Sequence, residues 1–411
     1  MSKTLLQINV TANWGSTGKI AEQIGLCAMM NGWESYIAYG RWCNPSKSHL
    51  IKVGNKLDMY MHYGEQRIRD NEGLCSRGAT KRLIKRISEI KPDVVQLHNI
   101  HDHYLNYRLL FEYFNKTDIK VVWTLHDCWA FTGHCFHFAT KNCEKWKTGC
   151  SECPLKNEYP KTFLDRSKEH WLLKKELLTR CKNLTIVPVS DWLANFVKES
   201  FLKEKRIYVI KNGVDLNIFK PSTSLNISKT NSKFKILAVS SVWYPDKGEL
   251  DIYKLREILA EDKFEITMVG LSADQYKQLP KGIIGIQRTQ NIQELVKLYS
   301  DADVLINPTY ADTFPTVNLE ALACGTPVIT YRTGGSPEAI DENTGVVVEQ
   351  GDIDRLVETI HKMNDHPLSS SDCRKRAEEC FDKDKCFEKY VELYESLLLN
   401  CRPNIENGES T

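Results

Sequence analysis

The chain has 411 residues, 42% hydrophobic and 26% charged, with a net charge of +2. That composition excludes disorder, and the length suits two domains of about 200 residues each rather than one core. No run of about 18 apolar residues is available to span a bilayer as a helix.

The first residues run straight into a strand-like pattern rather than a signal peptide, which places the chain in the cytoplasm. There the 14 cysteines read as thiols or metal ligands before disulfides. Charge is unevenly spread: residues 1–206 hold 32 Lys+Arg against 21 Asp+Glu (+11), and the remainder holds 23 against 32 (−9). A basic half suits an anionic partner, either a phosphorylated acceptor or an anionic membrane surface, with nucleic acid as the rival.

In chain order, short apolar runs at 5–10, 35–39, 94–97, 120–125 and 184–189 alternate with helical patterns. This is an open, doubly wound α/β layout. After the first strand comes Asn13-Trp-Gly15-Ser-Thr-Gly18, whose glycines let backbone amides approach an anion. It is not a P-loop, because Asn13 stands where the first glycine should be and Ile20 where Ser or Thr would reach magnesium. Two basic amphipathic helices follow, 81–91 with an apolar stripe of Leu83, Ile84, Ile87 and Ile90, and 161–182 around Trp171. They suit either ordinary core packing or an interfacial position.

His98, His101 and His103 cluster after the third strand, and His126 closes the fourth, with Asp127 placed to hold its ring. A histidine at such a strand end faces the ligand edge of an α/β sheet. Cys135, Cys143, Cys150 and Cys153 lie within 19 residues, and the last two have zinc-ligand spacing. Four sulfurs could close a structural tetrahedral site with no open position for catalysis; free thiols and a disulfide are the alternatives.

The second half repeats the layout with strands at 235–240, 265–269, 282–286, 303–307 and 328–331. Lys247, in the loop after the first of these, offers charge where a leaving diphosphate becomes more negative. Asp301-Ala-Asp303 mimics a metal-binding Asp-x-Asp but sits at a helix-to-strand junction and reads as structural. From Asp312, a short stretch through Phe314 and Pro315 opens a helix, and Glu320 lies one turn or so inside it. The amides of Thr316, Val317 and Asn318 are left without intrahelical partners and form an anion site flanked by two carboxylates. Phosphate and diols together make a nucleotide-sugar. A helical pattern over 373–399 closes the chain.

The stretch from Asp312 to Glu338, with Glu320, Ala-Cys-Gly-Thr-Pro-Val and Gly-Gly-Ser-Pro-Glu, resembles the signature of the retaining, nucleotide-sugar-dependent glycosyltransferases of family 4, group 1. The resemblance implies the GT-B fold: two Rossmann-like doubly wound domains facing a central cleft that closes on substrate. It implies an acceptor domain at 1–207, a donor domain at 208–375 and a C-terminal helix at 376–400 crossing back. It gives donor sugar hydroxyls to Asp312, where the family has glutamate, a change in reach of about 1.5 Å. The ribose diol falls to Glu320 and the diphosphate to Lys247, with Val242 standing near the family's usual arginine. His126 faces the donor sugar in this scheme, and Gly15, Gly18, Phe314, Thr316 and Val317 complete the donor site.

Transfer with retention then needs no protein nucleophile and no cofactor, since the leaving diphosphate itself takes the acceptor proton. The acceptor implied is a saccharide or a polyprenyl-diphosphate-linked saccharide of a cell-surface polysaccharide or capsule, met at the inner face of the membrane. A nucleotide-sugar epimerase on the same fold, and a non-enzymatic module binding zinc or nucleic acid, are the rival readings. The acidic second half argues against nucleic acid.

Overall fold

The apolar runs become two all-parallel sheets. A computed structural model describes residues 2–222 and 233–399, so the polar linker stretch and the polar end of the chain lie outside the described residues. The chain divides into two units, the first of Met1–Pro188, Ala194–Ile210 and the chain from Phe387 on, the second of Val189–Leu193 and Lys211–Cys386.

The first unit holds strands β1 (Thr4–Asn9), β2 (Glu34–Tyr39), β3 (His49–Lys52), β4 (Val94–Leu97), β5 (Lys120–Leu125), β6 (Leu184–Pro188) and β7 (Arg206–Ile207). Its sheet runs β3-β2-β1-β4-β5-β6-β7. The helices of this part of the chain are α1 (Gly15–Met30), α2 (Lys56–Arg69), α3 (Arg77–Ile90), α4 (Tyr107–Phe114), α5 (Lys145–Thr148), α6 (Ser167–Arg180) and α7 (Asp191–Glu199). Every residue of β1 and β4 is buried. Crossover helices on both faces of a parallel sheet produce that, and it is why these strands read as apolar runs rather than alternating ones.

The second unit holds β8 (Phe234–Val239), β9 (Phe264–Val269), β10 (Ile283–Ile286), β11 (Val304–Asn307), β12 (Val328–Tyr331) and β13 (Gly345–Val348), in the order β10-β9-β8-β11-β12-β13. Its helices are α8 (Glu249–Ile258), α9 (Ala273–Gln278), α10 (Ile292–Asp301), α11 (Thr316–Ala323), α12 (Ile353–Asp365) and α13 (Ser370–Cys380). Alternation fills two cores. Phe234, Ile236, Val304, Ile306, Ile329 and Tyr331 face one layer with Ile252 and Leu356, while Leu237, Leu305 and Val328 face the other with Leu319, Leu322 and Phe381.

The pattern over 373–399 is not one helix. It breaks between α13 and α14 (Lys383–Leu399), because Phe381 turns into the core and its carbonyl accepts the Val214 amide at 2.8 Å. Lys383 then donates its own amide to Val214 at 3.1 Å. From Phe387 the helix belongs to the first unit, where Tyr390 and Tyr394 are buried and the Tyr394 hydroxyl bonds Gln96.

The two basic helices pack as core helices. α3 buries Leu83 and Ile87, and α6, which begins at Ser167 rather than 161, buries Trp171, Lys174, Leu177 and Leu178. Core packing thus takes up Leu83, Ile87 and Trp171, while Leu172 stays exposed. Among the described residues no helix is long and apolar enough to cross a membrane.

Candidate functional site

In each sheet the strand order reverses once, between β1 and β4 and between β8 and β11. Loops leaving the carboxyl ends of such strands diverge to opposite faces, and the crevice between them is where open α/β sheets bind ligands. Both units place their chemistry there.

In the second unit Lys247 ends a short 3-10 turn in the loop after β8, and Asp312 lies in the loop after β11. The sequence separates them by 65 residues, yet Lys247 Nζ donates to Asp312 Oδ2 at 2.8 Å and to the Ala311 carbonyl at 3.1 Å. Burial works against the Lys247 charge, but the Asp312 carboxylate outweighs it and holds the ammonium above its ordinary range. The other Asp312 oxygen accepts the Phe314 amide at 3.2 Å.

Pro315 precedes α11, whose start carries no side-chain cap, and Thr316 and Val317 are half-buried there. The amides of that first turn supply the donors an anion needs. Glu320 lies one turn on, its Oε2 accepting from the buried Tyr299 hydroxyl at 2.8 Å. Phe314 is placed otherwise than a ligand-facing side chain: at 3% exposure it belongs to the core, beside Phe381 at 5.9 Å.

Gly334 and Gly335 explain themselves geometrically. Gly334 sits at φ +54°, and a Cβ on it would meet the Asp312 carbonyl at 1.7 Å; one on Gly335 would meet the Thr313 carbonyl at 2.2 Å. The turn thus supports the Asp312 loop from behind. Asp303 accepts the Lys235 amide at 2.8 Å and Asp301 pairs with Lys297, so the Asp-x-Asp acids are placed as structural groups.

In the first unit Gly15 opens α1 at φ +64° with open space around it, while Gly18 lies so close that a Cβ would be 2.5 Å from Thr11 Oγ1. One glycine supplies a left-handed backbone, the other a close approach. Beside them Trp14 and Trp42 are 41% and 50% exposed with ring centroids 4.7 Å apart.

His126 closes β5 and meets His98, which follows β4: His126 Nε2 and His98 Nδ1 are 3.0 Å apart, and His98 Nε2 lies 3.0 Å from Gln7 Oε1. Gln7 Nε2 donates to the Ala21 carbonyl at 2.8 Å, which orients the amide with its oxygen toward His98. His98 Nε2 must therefore donate, His98 Nδ1 accept and His126 Nε2 donate, leaving Nδ1 as the accepting nitrogen of His126. Burial pushes His126 down to about 4 and His98 well below its ordinary value, so both rings are neutral near pH 7.

Asp127 acts on His126 through its charge, against the effect of burial. Its Oδ2 takes His101 Nε2 at 2.8 Å and its Oδ1 the Trp129 amide at 2.8 Å. His103 is likewise engaged, with Glu72 at 2.9 Å. Gln7 went unnoticed in the sequence, although a polar residue inside an otherwise apolar buried strand was the available signal.

Cys135, Cys143, Cys150 and Cys153 line one cavity of ≈ 10 Å³ with His134 and Trp146. Among the described residues, however, no group of three or more His, Cys, Asp or Glu is arranged to hold a metal ion. The four cysteines thus gather around one small cavity, with the Cys135 and Cys153 thiols hydrogen-bonded to each other. A hydrogen bond from Cys135 brings Cys153 down to about 7, and the Cys150 sulfur accepts the Gly133 amide at 3.2 Å.

Residues 36–218 match the family model described as Glycosyltransferase Family 4, and residues 233–366 match that described as Glycosyl transferases group 1. The chain is 26% identical to the putative colanic acid biosynthesis glycosyl transferase WcaC of Escherichia coli K12, over 96% of this chain and 100% of that one. Among solved structures it resembles a sucrose-phosphate synthase from Thermosynechococcus elongatus, with TM-score 0.70, 16% identity and coverage of 97% and 100% of the two chains. Anabaena HepE in complex with UDP-glucose is a further neighbour, with TM-score 0.62, 14% identity and coverage of 96% and 99%.

Proposed function

Because the chain belongs to the glycosyltransferases of family 4, group 1, retaining GT-B enzymes that draw on a nucleotide-sugar donor, we propose that it extends a saccharide or polyprenyl-diphosphate-linked saccharide in cell-surface polysaccharide assembly. The work is done at the cytoplasmic face of the membrane. One observation carries the proposal: Lys247 and Asp312, from the two loops at the strand-order reversal, meet at 2.8 Å in the loop that opens onto α11.

In this scheme the second unit holds the donor. Lys247 and the amides of Thr316 and Val317 take the diphosphate, Glu320 accepts from the ribose hydroxyls, and Asp312 accepts from the donor sugar. Phe314 contributes by packing the loop, not by touching ligand. A cation fixed before reaction stabilises the charge that grows on the leaving diphosphate, and that diphosphate takes the acceptor proton.

The first unit holds the acceptor. The Trp14 and Trp42 rings offer flat apolar faces to sugar C–H groups, whereas Gly15, Gly18 and neutral His126 keep the donor roles that the family resemblance gives them. The test is nucleotide release from a panel of UDP- and GDP-sugars, with and without a lipid-linked saccharide. Release that requires the acceptor and falls in Asp312→Asn supports transfer; conversion of the donor with no acceptor present would make the protein an epimerase.

A further inference from the structure

The loop after β4 holds two successive residues in the left-handed region, Asp102 at φ +79° and His103 at φ +69°. Neither is glycine, and each such backbone is disfavoured enough that surrounding contacts must hold it. A carboxylate does so. Buried Glu72 takes both amides on Oε1, that of Asp102 at 2.7 Å and that of His103 at 3.3 Å, while its Oε2 lies 2.9 Å from His103 Nε2. Glycine would adopt this turn without strain, so the conformation alone does not account for the side chains it carries.

The loop after β2 brings a cation to the same place. A Cβ on Gly40 would meet the Tyr104 ring at 2.2 Å, so the two loops lie directly against each other. Lys52 Nζ fastens the β2 loop by donating to the Gly40 carbonyl at 2.7 Å and the Arg41 carbonyl at 2.6 Å. Arg41 then donates through Nε to the Asp102 carbonyl at 3.1 Å and through Nη2 to His103 Nδ1 at 2.8 Å, with Nη2 3.9 Å from Asp102 Oδ1. His103 is fully engaged in this network and Asp102 is not. Asp102 Oδ1 accepts from the Tyr159 hydroxyl, whereas Oδ2 has no hydrogen-bond partner among the described residues, on a side chain 21% exposed.

The Arg41 guanidinium also lies 5.5 Å from the centroid of the exposed Trp42 ring, so it spans from that ring to the carboxylate. Backbone bonds hold the tryptophan pair in place: the Ala12 amide donates to the Trp42 carbonyl and the Asn44 amide to the Ala12 carbonyl, both at 3.0 Å. An apolar ring face beside a carboxylate oxygen complements a hexose, which turns C–H groups to the ring and hydroxyls to the acid. The polar atom left for a ligand is an acceptor. It takes hydroxyl hydrogens and repels a second carboxylate, and that repulsion discriminates between sugars.

We propose that Asp102, set by Glu72 and Arg41 beside Trp42, determines acceptor specificity, selecting a saccharide that ends in a neutral hexose over one that ends in a uronic acid. This rests on the reading of the first unit as the acceptor domain, and names the class of sugar it takes.

The experiment is saturation-transfer NMR of the full chain, without donor, against the methyl glycosides of glucose, galactose, mannose and glucuronic acid. The parent should bind at least one of the three neutral hexosides, and the glucuronide about tenfold more weakly. Asp102→Asn keeps a short side chain that accepts the left-handed backbone but replaces one acceptor oxygen by an amide donor. Its hexoside affinity should fall about tenfold or more, and its preference over the glucuronide should shrink. Trp42→Ala should weaken hexoside binding about fivefold or more, from the lost ring face. Both variants should keep the parent's thermal shift with a nucleotide-sugar. The proposal is overturned by a parent that binds no hexoside or binds the glucuronide as tightly. It is equally overturned by an Asp102→Asn variant that binds hexosides as the parent does, whatever its melting temperature, or that loses the donor shift as well. Hexoside binding that Asp102→Asn abolishes, in a protein that releases nucleotide from no sugar donor, sinks the transferase reading and leaves this one standing.

Discussion

Glu320 separates donor binding from stability in a way two substitutions can read. One carboxylate oxygen accepts from the Tyr299 hydroxyl at 2.8 Å, and Tyr299 is fully buried. Glu320→Ala removes that acceptor and leaves a buried hydroxyl unsatisfied, which costs about 1–3 kcal/mol of stability. Glu320→Gln keeps a carbonyl oxygen for Tyr299 but turns the other acceptor into an amide donor, which cannot receive a ribose hydroxyl. Losing a hydrogen bond to a charged group is worth about 1.5–3 kcal/mol, or roughly 13- to 160-fold in affinity. With a nucleotide-sugar at about 100 times its Kd, the parent gains about 2.7 kcal/mol, and the glutamine variant keeps only about 0.3–1.3 kcal/mol. In thermal melts at about 2–4 °C per kcal/mol for a unit of this size, the donor-induced shift falls to less than half. Unliganded Glu320→Ala should melt below the parent. A glutamine variant with an undiminished donor shift refutes the diol assignment, and an alanine variant as stable as the parent refutes the Tyr299 argument.

His98→Phe removes both the acceptor for His126 and the donor to Gln7, so it should cost about 1–3 kcal/mol of stability and slow transfer tenfold or more. An unaltered rate would count against the His126 assignment. The pair also fixes a pH dependence. Both rings stay neutral when folded, so below about pH 6.5 only the unfolded chain gains these protons and stability falls with acid; equilibrium unfolding of His98→Phe should show a shallower fall. Lys174 acts in the alkaline range. Fully buried, with Nζ 2.7 Å from the Trp129 carbonyl, it is brought down to about 7 by burial. From about pH 7 to 9 the unfolded chain therefore binds the extra proton, and the parent should gain about 1.4 kcal/mol per pH unit relative to Lys174→Met, read by denaturant titration. Gly334→Ala places a Cβ 1.7 Å from the Asp312 carbonyl at φ +54°, and should abolish the donor shift while circular dichroism reports the α/β content retained.

Apolar runs, length and turn residues by themselves located ten of the thirteen described strands, missing β3, β7 and β13, because burying both faces of a parallel sheet leaves few other ways to write a strand. The run from Asp312 to Glu338 also announced its chemistry, since a helix opening, two acids and a glycine pair are local in the chain. What only the tertiary structure decided was long-range partnership. Lys247 meets Asp312 because β8 and β11 are neighbours across the strand-order reversal, and His126 bonds His98, itself bonded to Gln7, because β1, β4 and β5 lie side by side. The direction in which an amphipathic helix faces was undecidable for the same reason. α3 turns its stripe inward and α2 turns its stripe outward; periodicity records that a helix has an apolar side, and only the packing of other elements says whether that side is covered.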